Sequence, residues 1–265
     1  MFMFSKEHIN YLKKRKKEKI LVRVFQLSII AIFIIGWQLL ANNGIINTFI
    51  ASSPKKVVET IISLHNSGDL YHHIFVTLYE TLFSFGLGTI LGFLIATLLW
   101  WNKFLSKVID PYLTIINSLP KVALGPIIII WGGAGIKSII IMALLISTVI
   151  TIINVTDGFN SVPNNQIKLL KSFNASKLQI FYKLILPHSF KIIISALKIN
   201  ISMSLIGVIM GEFLVSKEGI GYLIVYGSQT FNLNLVITGT IILAILSALM
   251  YYSILYIEKK LNYKH

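Results

Sequence analysis

The chain has 265 residues, of which 55% are hydrophobic and 13% are charged, and it carries a formal net charge of +14 and no cysteine. Soluble domains are about 25% charged, so the composition excludes an ordinary soluble domain and favours a polytopic membrane protein. The lack of cysteine excludes disulfides, thiolate metal sites and a cysteine nucleophile.

Six apolar runs are long enough to cross a bilayer, because a spanning helix needs about 20 apolar residues. In chain order we predict spans at 22–41, 76–100, 111–131, 138–155, 190–215 and 233–257. Pro120, Gly125 and Pro126 are expected to break up the third span. Basic residues precede the first run, but it lacks a small-x-small cleavage site, so we predict a retained helix rather than a signal peptide. The sequence therefore predicts an all-α integral membrane protein with six transmembrane helices.

Lysine and arginine are distributed unevenly between the two sides that six spans define. If both termini are cytoplasmic, the inner segments hold most of the basic residues, and the outer segments hold only Lys55, Lys56, Lys137 and Lys217. Because positive charge favours the cytoplasmic side, we predict cytoplasmic termini in a cell-membrane protein. Residues 1–21 then form a basic cytoplasmic segment, 22–257 the membrane domain and 258–265 a cytoplasmic tail. The run KKRKKEK at 13–19 is interpreted as a topology determinant that contacts anionic lipid, not nucleic acid.

The loop 157–191, between the fourth and fifth spans, contains two predicted short helices. Ser161 is expected to cap the first helix, with Pro163 in its first turn. Asn174 is expected to end it in the left-handed conformation, and Pro187 to end or kink the second. Apolar residues share one face of each helix: Leu169, Leu170 and Phe173, then Leu178, Phe181, Tyr182 and Ile185. This helical elbow either rests on the inner leaflet or docks in a groove of a soluble partner.

Small and polar residues form stripes on two spans. They recur on one helical face in each span: Ser147, Thr151 and Asn154 in the fourth, and Asn200, Ser204, Gly207 and Gly211 in the fifth. Polar groups inside a membrane are costly and often functional, so these stripes are candidates for the lining of a hydrophilic path. Small residues also let membrane helices pack closely, and this alternative stays open. The G-x-x-x-G match at 88–92 is expected to pack within one chain.

Three stretches and the elbow together resemble a known family. In the elbow, Asn174 is followed after nine residues by Leu184-Ile185-Leu186-Pro187, which resembles the "EAA" loop of binding-protein-dependent ABC importer permeases. The stretches SPKKVVETIISL (53–64), SLPKVALGPIIIIWGGAGIKS (118–138) and GVIMGEFLVSKEGIGYLI (207–224) are similar to the nitrate, sulfonate, taurine and bicarbonate branch of that family. The resemblance implies a type I ABC importer permease fold with a cytoplasmic coupling helix.

The resemblance also implies partners and roles. The elbow would dock on ABC ATPase subunits through Lys168, Asn174, Ala175, Ser176, Leu178, Phe181, Leu184, Leu186 and Pro187. Glu212, with Gly219, Gly221 and Tyr222, would belong to an outer gate or to the surface that docks an extracytoplasmic solute-binding protein. A second permease copy would complete the transporter, as a homodimer or with a sister permease. The solute would be a small anion of that branch; an alternative is a thiamine-precursor-like heterocycle.

The chain departs from the family pattern at two places in the elbow. Lys168-Leu169-Leu170 stands where the family has Glu-Ala-Ala, and Asn174 stands where it has glycine. The charge reversal at Lys168 removes any ion pair that the family's glutamate makes. Asparagine, like glycine, tolerates the left-handed backbone conformation, so the bend at Asn174 is expected to be retained.

The chain has no recognisable means of hydrolysing ATP. No G-x-x-x-x-G-K-[ST] phosphate loop occurs in the sequence, so a partner would use ATP and Mg²⁺, and this chain would bind no cofactor or metal and would not be an enzyme. Two rival functions are a lipid-modifying enzyme, which needs convergent acid, base and nucleophile groups, and an ion-coupled transporter, which needs paired ionisable residues. Glu80 and Glu212 are the acids nearest the membrane interior.

Overall fold

The computed structural model describes residues 6–262, and this part of the chain is helical without a strand. The helices are α1 (Lys6–Asn42), α2 (Thr48–Ala51), α3 (Pro54–Ser67), α4 (Asp69–Trp101), α5 (Lys103–Ser118), α6 (Gly125–Gly132), α7 (Ile136–Asn160), α8 (Asn164–Ser172), α9 (Lys177–Ile180), α10 (Leu186–Val215), α11 (Ile220–Gln229) and α12 (Leu233–Asn262). A 3-10 helix (Lys121–Leu124) precedes α6, and a π-helical turn (Phe181–Ile185) joins α9 to α10. Residues 1–5 and 263–265, the ends of the predicted N-terminal segment and C-terminal tail, lie outside the described residues.

Within residues 6–262, five helical segments are long and apolar enough to cross a membrane. They are Asn10–Asn42, Asp69–Trp101, Ile136–Asn160, Lys177–Val215 and Leu233–Lys260. Each contains one of the predicted spans, so five of the six predictions are confirmed. A sixth crossing exists if α5 and the helices after it are counted as one broken span.

The third predicted span, 111–131, is interrupted, as expected. The segments Lys103–Ser118 and Lys121–Gly132 are bent by 90° relative to each other. Leu119 takes an extended conformation before Pro120, as expected because the ring of a proline disfavours a helical conformation at the preceding residue. Pro111, in contrast, lies inside α5. The backbone break predicted near Pro120 is therefore the point where the membrane segment turns.

Close contact between α7 and α10 forms the centre of the fold. A Cβ added at Gly207 would lie 2.5 Å from the Cα of Ala143, and one added at Gly211 would lie 2.8 Å from the Cα of Ile139. The two backbones approach this closely because neither glycine has a side chain. Val208 is fully buried in the same contact.

Helix α4 packs closely on α7 in the same way, through two glycines. A Cβ added at Gly88 would lie 2.5 Å from Ser147 Oγ, and one added at Gly92 would lie 2.6 Å from Thr151 Cβ. The G-x-x-x-G match at 88–92 therefore packs within one chain, as predicted. Helices α4, α7 and α10 pack against one another at the centre of the fold, and α11 and α12 pack along α10.

Candidate functional site

The elbow, residues 164–187, is a rigid bend between two helices. Asn174 has a φ of 56°, and Ala175 N–H donates to Leu170 O at 3.0 Å, so the left-handed cap predicted at Asn174 is confirmed. Ser176 then starts α9 with a capping box, in which its side chain and that of Gln179 each accept from the other residue's backbone N–H. Both ends of the bend are therefore fixed by hydrogen bonds.

The prediction for the start of the first elbow helix is wrong, and one of the two alternatives at Pro187 is excluded. Ser161 follows α7 as its C-terminal cap, and Pro163 takes the position before α8, because the chain needs an extended residue between the two helices. Of the two alternatives at Pro187, a helix end is excluded, since Lys177–Val215 is one continuous helical segment; a kink stays a prediction. The π-helical turn Phe181–Ile185 ends two residues before this proline, and Pro187 offers no N–H to continue the α-helical pattern.

The elbow divides its apolar residues between a buried and an exposed side. Phe181 and Ile185 are buried, with exposures of 5% and 0%, so the single apolar face predicted for the second helix is split. Leu178 is 54% exposed and Tyr182 is 60% exposed. On the first helix Leu169 and Phe173 are also exposed. We call these four exposed residues, Leu169, Phe173, Leu178 and Tyr182, the elbow patch.

The other predicted coupling residues surround this patch. Phe181 belongs to the protein core, so the expectation that it contacts a partner directly is corrected. Leu184 and Leu186 are half-buried and pack against the same core cluster as Phe181. The remaining predicted residues are exposed or half-buried: Lys168, Asn174, Ala175, Ser176 and Pro187.

An aromatic cluster fixes the elbow to the ends of α4 and α7. The ring of Phe181 lies 5.1 Å from that of Trp100 and 5.4 Å from that of Phe159. Lys177 Nζ lies 5.2 Å from the ring of Trp101 and donates a hydrogen bond to Trp101 O. A displacement of the elbow would therefore be transmitted to α4 and α7 as well as to α10. The sequence pattern did not identify Trp100, Phe159 or Lys177, because long-range pairs leave no local periodicity.

At the other end of α4 and α10, a buried carboxylate holds the turn before α11. Glu212 Oε1 accepts from Thr77 Oγ1 at 2.6 Å, and Glu212 Oε2 accepts from Gly221 N–H at 2.5 Å. Thr77 Oγ1 also accepts from Ile220 N–H at 2.8 Å. The carboxyl group thus meets the first N–H groups of a helix, a position that favours its anionic form. We call this hydrogen-bonded group the clasp.

Neighbouring residues complete the clasp. Gly219 N–H donates to His73 Nδ1 at 2.9 Å, so His73 accepts through that nitrogen. Gly219 has a φ of 96°, and a Cβ there would collide with the Glu212 carboxylate. Tyr222 lies against the His73 ring with centroids 5.9 Å apart. These contacts bring Glu212, Gly219, Gly221 and Tyr222 together, as their grouping in the sequence suggested, and add His73 and Thr77.

Glu212 itself is 1% exposed. A side chain buried to this extent cannot contact a docking protein directly, which corrects the receptor-surface alternative for this residue. Its carboxyl group adjoins that of Glu80 from α4. Glu80 is also buried and lines a cavity of about 460 Å³ beside the clasp. The sequence of one span does not show which residue of another span lies beside its acid, so this pairing was not predicted.

The predicted pathway residues lie mostly in helix contacts. Ser147, Thr151, Asn200, Ser204, Gly207 and Gly211 are buried, and Asn154 is half-buried. Asn200 Nδ2 donates to Thr89 Oγ1 at 2.7 Å, which joins α10 to α4. The packing alternative accounts for the glycines and for Ser147 and Thr151, and the pathway role of these residues stays a prediction.

The comparison with known families decides the class of protein. The family model described as "Binding-protein-dependent transport system inner membrane component" matches residues 88–263. The chain belongs to this family. It is therefore a multi-pass permease component of a binding-protein-dependent transport system, as its elbow and clasp sequences suggested.

Relatives of this permease differ in their named solutes. A probable ABC transporter permease from Haemophilus influenzae is 31% identical over 228 residues, 86% of this chain and 92% of the relative. The putative aliphatic sulfonates permease SsuC of Bacillus subtilis is 27% identical over 87% of this chain and 84% of its own length. The formylaminopyrimidine permease ThiX of Halalkalibacterium halodurans is 29% identical over 66% of this chain and 69% of its own length.

Solved structures show the fold. The permease is similar to a chain of the MetNI methionine ABC transporter in inward-facing conformations, with a TM-score of 0.62 and 21% identity over 69% of this chain and 92% of that chain. The permease therefore has the type I ABC importer fold, as predicted.

Proposed function

We propose that this permease forms the translocation pathway of an ATP-driven importer and receives force through the elbow. ATPase subunits, which use ATP and Mg²⁺, would dock on the cytoplasmic elbow patch. A solute-binding protein would deliver solute at the clasp end, and a second permease copy would complete the pathway. The basic residues 1–21 and the tail 258–265 would then face the cytoplasm.

One observation carries this proposal: the elbow exposes apolar side chains while its core is fixed to three helices. Leu178 and Tyr182 are more than half exposed, whereas Phe181 is held between Trp100 and Phe159. An exposed apolar patch on a rigid base suits a groove on a soluble partner better than free water. The base would pass movement of the partner to the membrane helices as a rigid body.

The solute class has two candidates among the relatives. The sulfonate permease supports the small anion expected from the branch resemblance, and the formylaminopyrimidine permease supports the heterocycle alternative. In systems of this type, identifying the ligand of the solute-binding partner would choose between them.

The test compares two variants that add the same charge to the elbow. Leu178→Glu places a carboxylate in the elbow patch, and Gln166→Glu places one at an exposed position of α8 outside it. In a reconstituted transporter, Leu178→Glu is expected to lower ATP-dependent uptake at least tenfold, and Gln166→Glu to leave it within twofold. Normal uptake and normal ATPase co-purification with Leu178→Glu would contradict docking at the elbow.

A further inference from the structure

A buried pair of carboxyl groups, Glu80 and Glu212, joins α4 to α10 inside the clasp. Glu80 is 2% exposed and Glu212 is 1% exposed, and the two carboxyl groups are hydrogen-bonded to each other. Two carboxylates cannot form a hydrogen bond, because an ionised carboxyl group only accepts. The contact therefore requires that one of the two groups carries a proton.

The other hydrogen bonds of the clasp assign this proton to Glu80. Glu212 Oε1 accepts from the Thr77 hydroxyl, and Glu212 Oε2 accepts from the Gly221 N–H. A carboxyl group that accepts on both oxygens is stabilised in its anionic form. Glu212 is therefore the acceptor in the pair, and the Glu80 O–H is the donor.

The cavity beside the clasp connects this proton to water. Glu80 lines the cavity of about 460 Å³, and the exposed residues Lys217 and Glu218 lie in the same wall. When the Glu80 O–H bond breaks, its electron pair stays on the Glu80 oxygen and the proton passes to a water molecule. Two carboxylates then adjoin, and no donor among the described residues reaches Glu80 Oε2. The deprotonated pair is therefore unstable in the closed clasp.

The position of Thr77 converts this instability into a movement. Thr77 lies three residues before Glu80 on α4, and its hydroxyl bonds both Glu212 and the Ile220 N–H. Repulsion between the two carboxylates would push α4 away from α10, and Thr77 would move with Glu80 because both belong to one helix. The bonds that hold the start of α11 would then break.

We infer that the Glu80–Glu212 pair is a proton-binding site that locks the clasp. With the proton bound, the clasp is closed; when the proton is lost, α4 separates from the start of α11. The inference concerns contacts within one permease chain, so it does not depend on the ATPase, the solute or the side of the membrane that the clasp end faces.

Other titratable groups at this end give a different response to pH. His73 Nδ1 accepts from the Gly219 N–H at 2.9 Å, so a proton taken up by this nitrogen would break that bond as the pH falls. Opening that increases as the pH rises would instead report the carboxyl pair. The remaining titratable or charged groups are Asp69, His72 and Tyr79 from α4, Lys217 and Glu218 from the turn, and Tyr222 from α11. Helix α7 contributes the apolar Ile136 and Ile139 to the cavity, and α12 has no charged residue before Glu258.

Infrared spectra of the full-length permease test the proton directly, because a protonated carboxyl group has a C=O stretch that a carboxylate lacks. At about pH 6, well above the pKa of about 4.3 of a glutamate in water, we expect this band in the wild type. Glu80→Gln is expected to lose it, and Glu59→Gln, which removes an exposed carboxyl group of α3, to keep it. Buried glutamates release their protons at up to about pH 8–9, so the wild-type band should disappear reversibly at about pH 9.5.

Hydrogen exchange at residues 219–222 tests the lock. Glu80→Gln is the reference at every pH, because its amide N–H donates to Glu212 but is not lost as the pH rises. The chemical effect of pH on exchange is common to both proteins. We expect similar rates at about pH 6 and exchange about tenfold faster in the wild type at about pH 9.5. The elbow amides at 177–180 should exchange equally in both proteins.

Three results would overturn the inference. They are a protonated-carboxyl band that is absent from the wild type at about pH 6, a band that persists unchanged in Glu80→Gln, and a ratio of exchange rates that does not change with pH. If Glu80→Gln does not fold, the wild type alone decides. Its band must then disappear as the pH rises while exchange at residues 219–222 increases relative to the elbow amides, and failure of either change overturns the inference.

Discussion

At the scale of single residues, Glu212 shows how a buried carboxyl group is accommodated in this permease. A charge in a membrane span costs about 2.5–3.5 kcal/mol on insertion scales, and the clasp offsets this cost with donors. Thr77 Oγ1 and Gly221 N–H reach the two carboxylate oxygens. The same bonds satisfy N–H groups at the start of α11 that would otherwise lack partners. Glu212 therefore joins α10, α4 and α11 at one point.

Thr77 is central to the clasp, because its hydroxyl donates a hydrogen bond to Glu212 and accepts one from the Ile220 N–H. Thr77→Val keeps the shape and leaves both partners unsatisfied, at a cost of about 1–3 kcal/mol. We expect amide hydrogen exchange at residues 219–222 to accelerate about tenfold or more. Thr240→Val, at an exposed threonine that bonds only its own helix, is the control. Unchanged exchange in Thr77→Val would show that the clasp does not hold this turn.

At the scale of helices, the elbow and α10 act as one element. The helical segment Lys177–Val215 runs from the elbow to the clasp without an end, and the π-helical turn absorbs the defect that Pro187 introduces. Helix α4 runs beside it, with Trp100 at the elbow and Thr77 at the clasp. Two continuous helices therefore connect the two ends of the permease.

The glycine contact between α7 and α10 gives a prediction about helix packing. Gly207→Ala is expected to destabilise the permease by about 1–3 kcal/mol, since its Cβ would lie 2.5 Å from the backbone of Ala143. Gly86→Ala is the matched control, because no atom lies within 4 Å of a Cβ there and alanine favours the helix. Thermal unfolding in detergent should show a lower Tm for Gly207→Ala alone. Equal Tm values would mean that the α7–α10 contact can open without cost.

At the scale of the whole molecule, the features that were predicted correctly are those that depend on short stretches of sequence. Apolar runs located the five continuous spans, and Asn174 located the bend of the elbow, because each depends on neighbours along the chain. The 90° turn after Ser118 was foreseen only as a break, since a proline marks where a helix stops but not the direction taken next.

The rest depended on contacts between distant segments. The buried side of Phe181 follows from the positions of Trp100 and Phe159, and the π-helical turn changes which residues share a face. The adjoining acids Glu80 and Glu212 come from α4 and α10. A single sequence gives the period of each helix but not the rotation that brings two helices together.

The central proposal is that the elbow patch receives force from an ATPase while the clasp end faces the opposite side of the membrane. The most direct measurement is photocross-linking in intact membranes, with p-benzoylphenylalanine in place of Leu178 on the elbow or of Tyr226, an exposed residue of α11. We predict a cross-link to a nucleotide-binding subunit from position 178 and none from position 226. A cross-link to that subunit from position 226, or its absence from position 178 in an active transporter, would contradict the proposal.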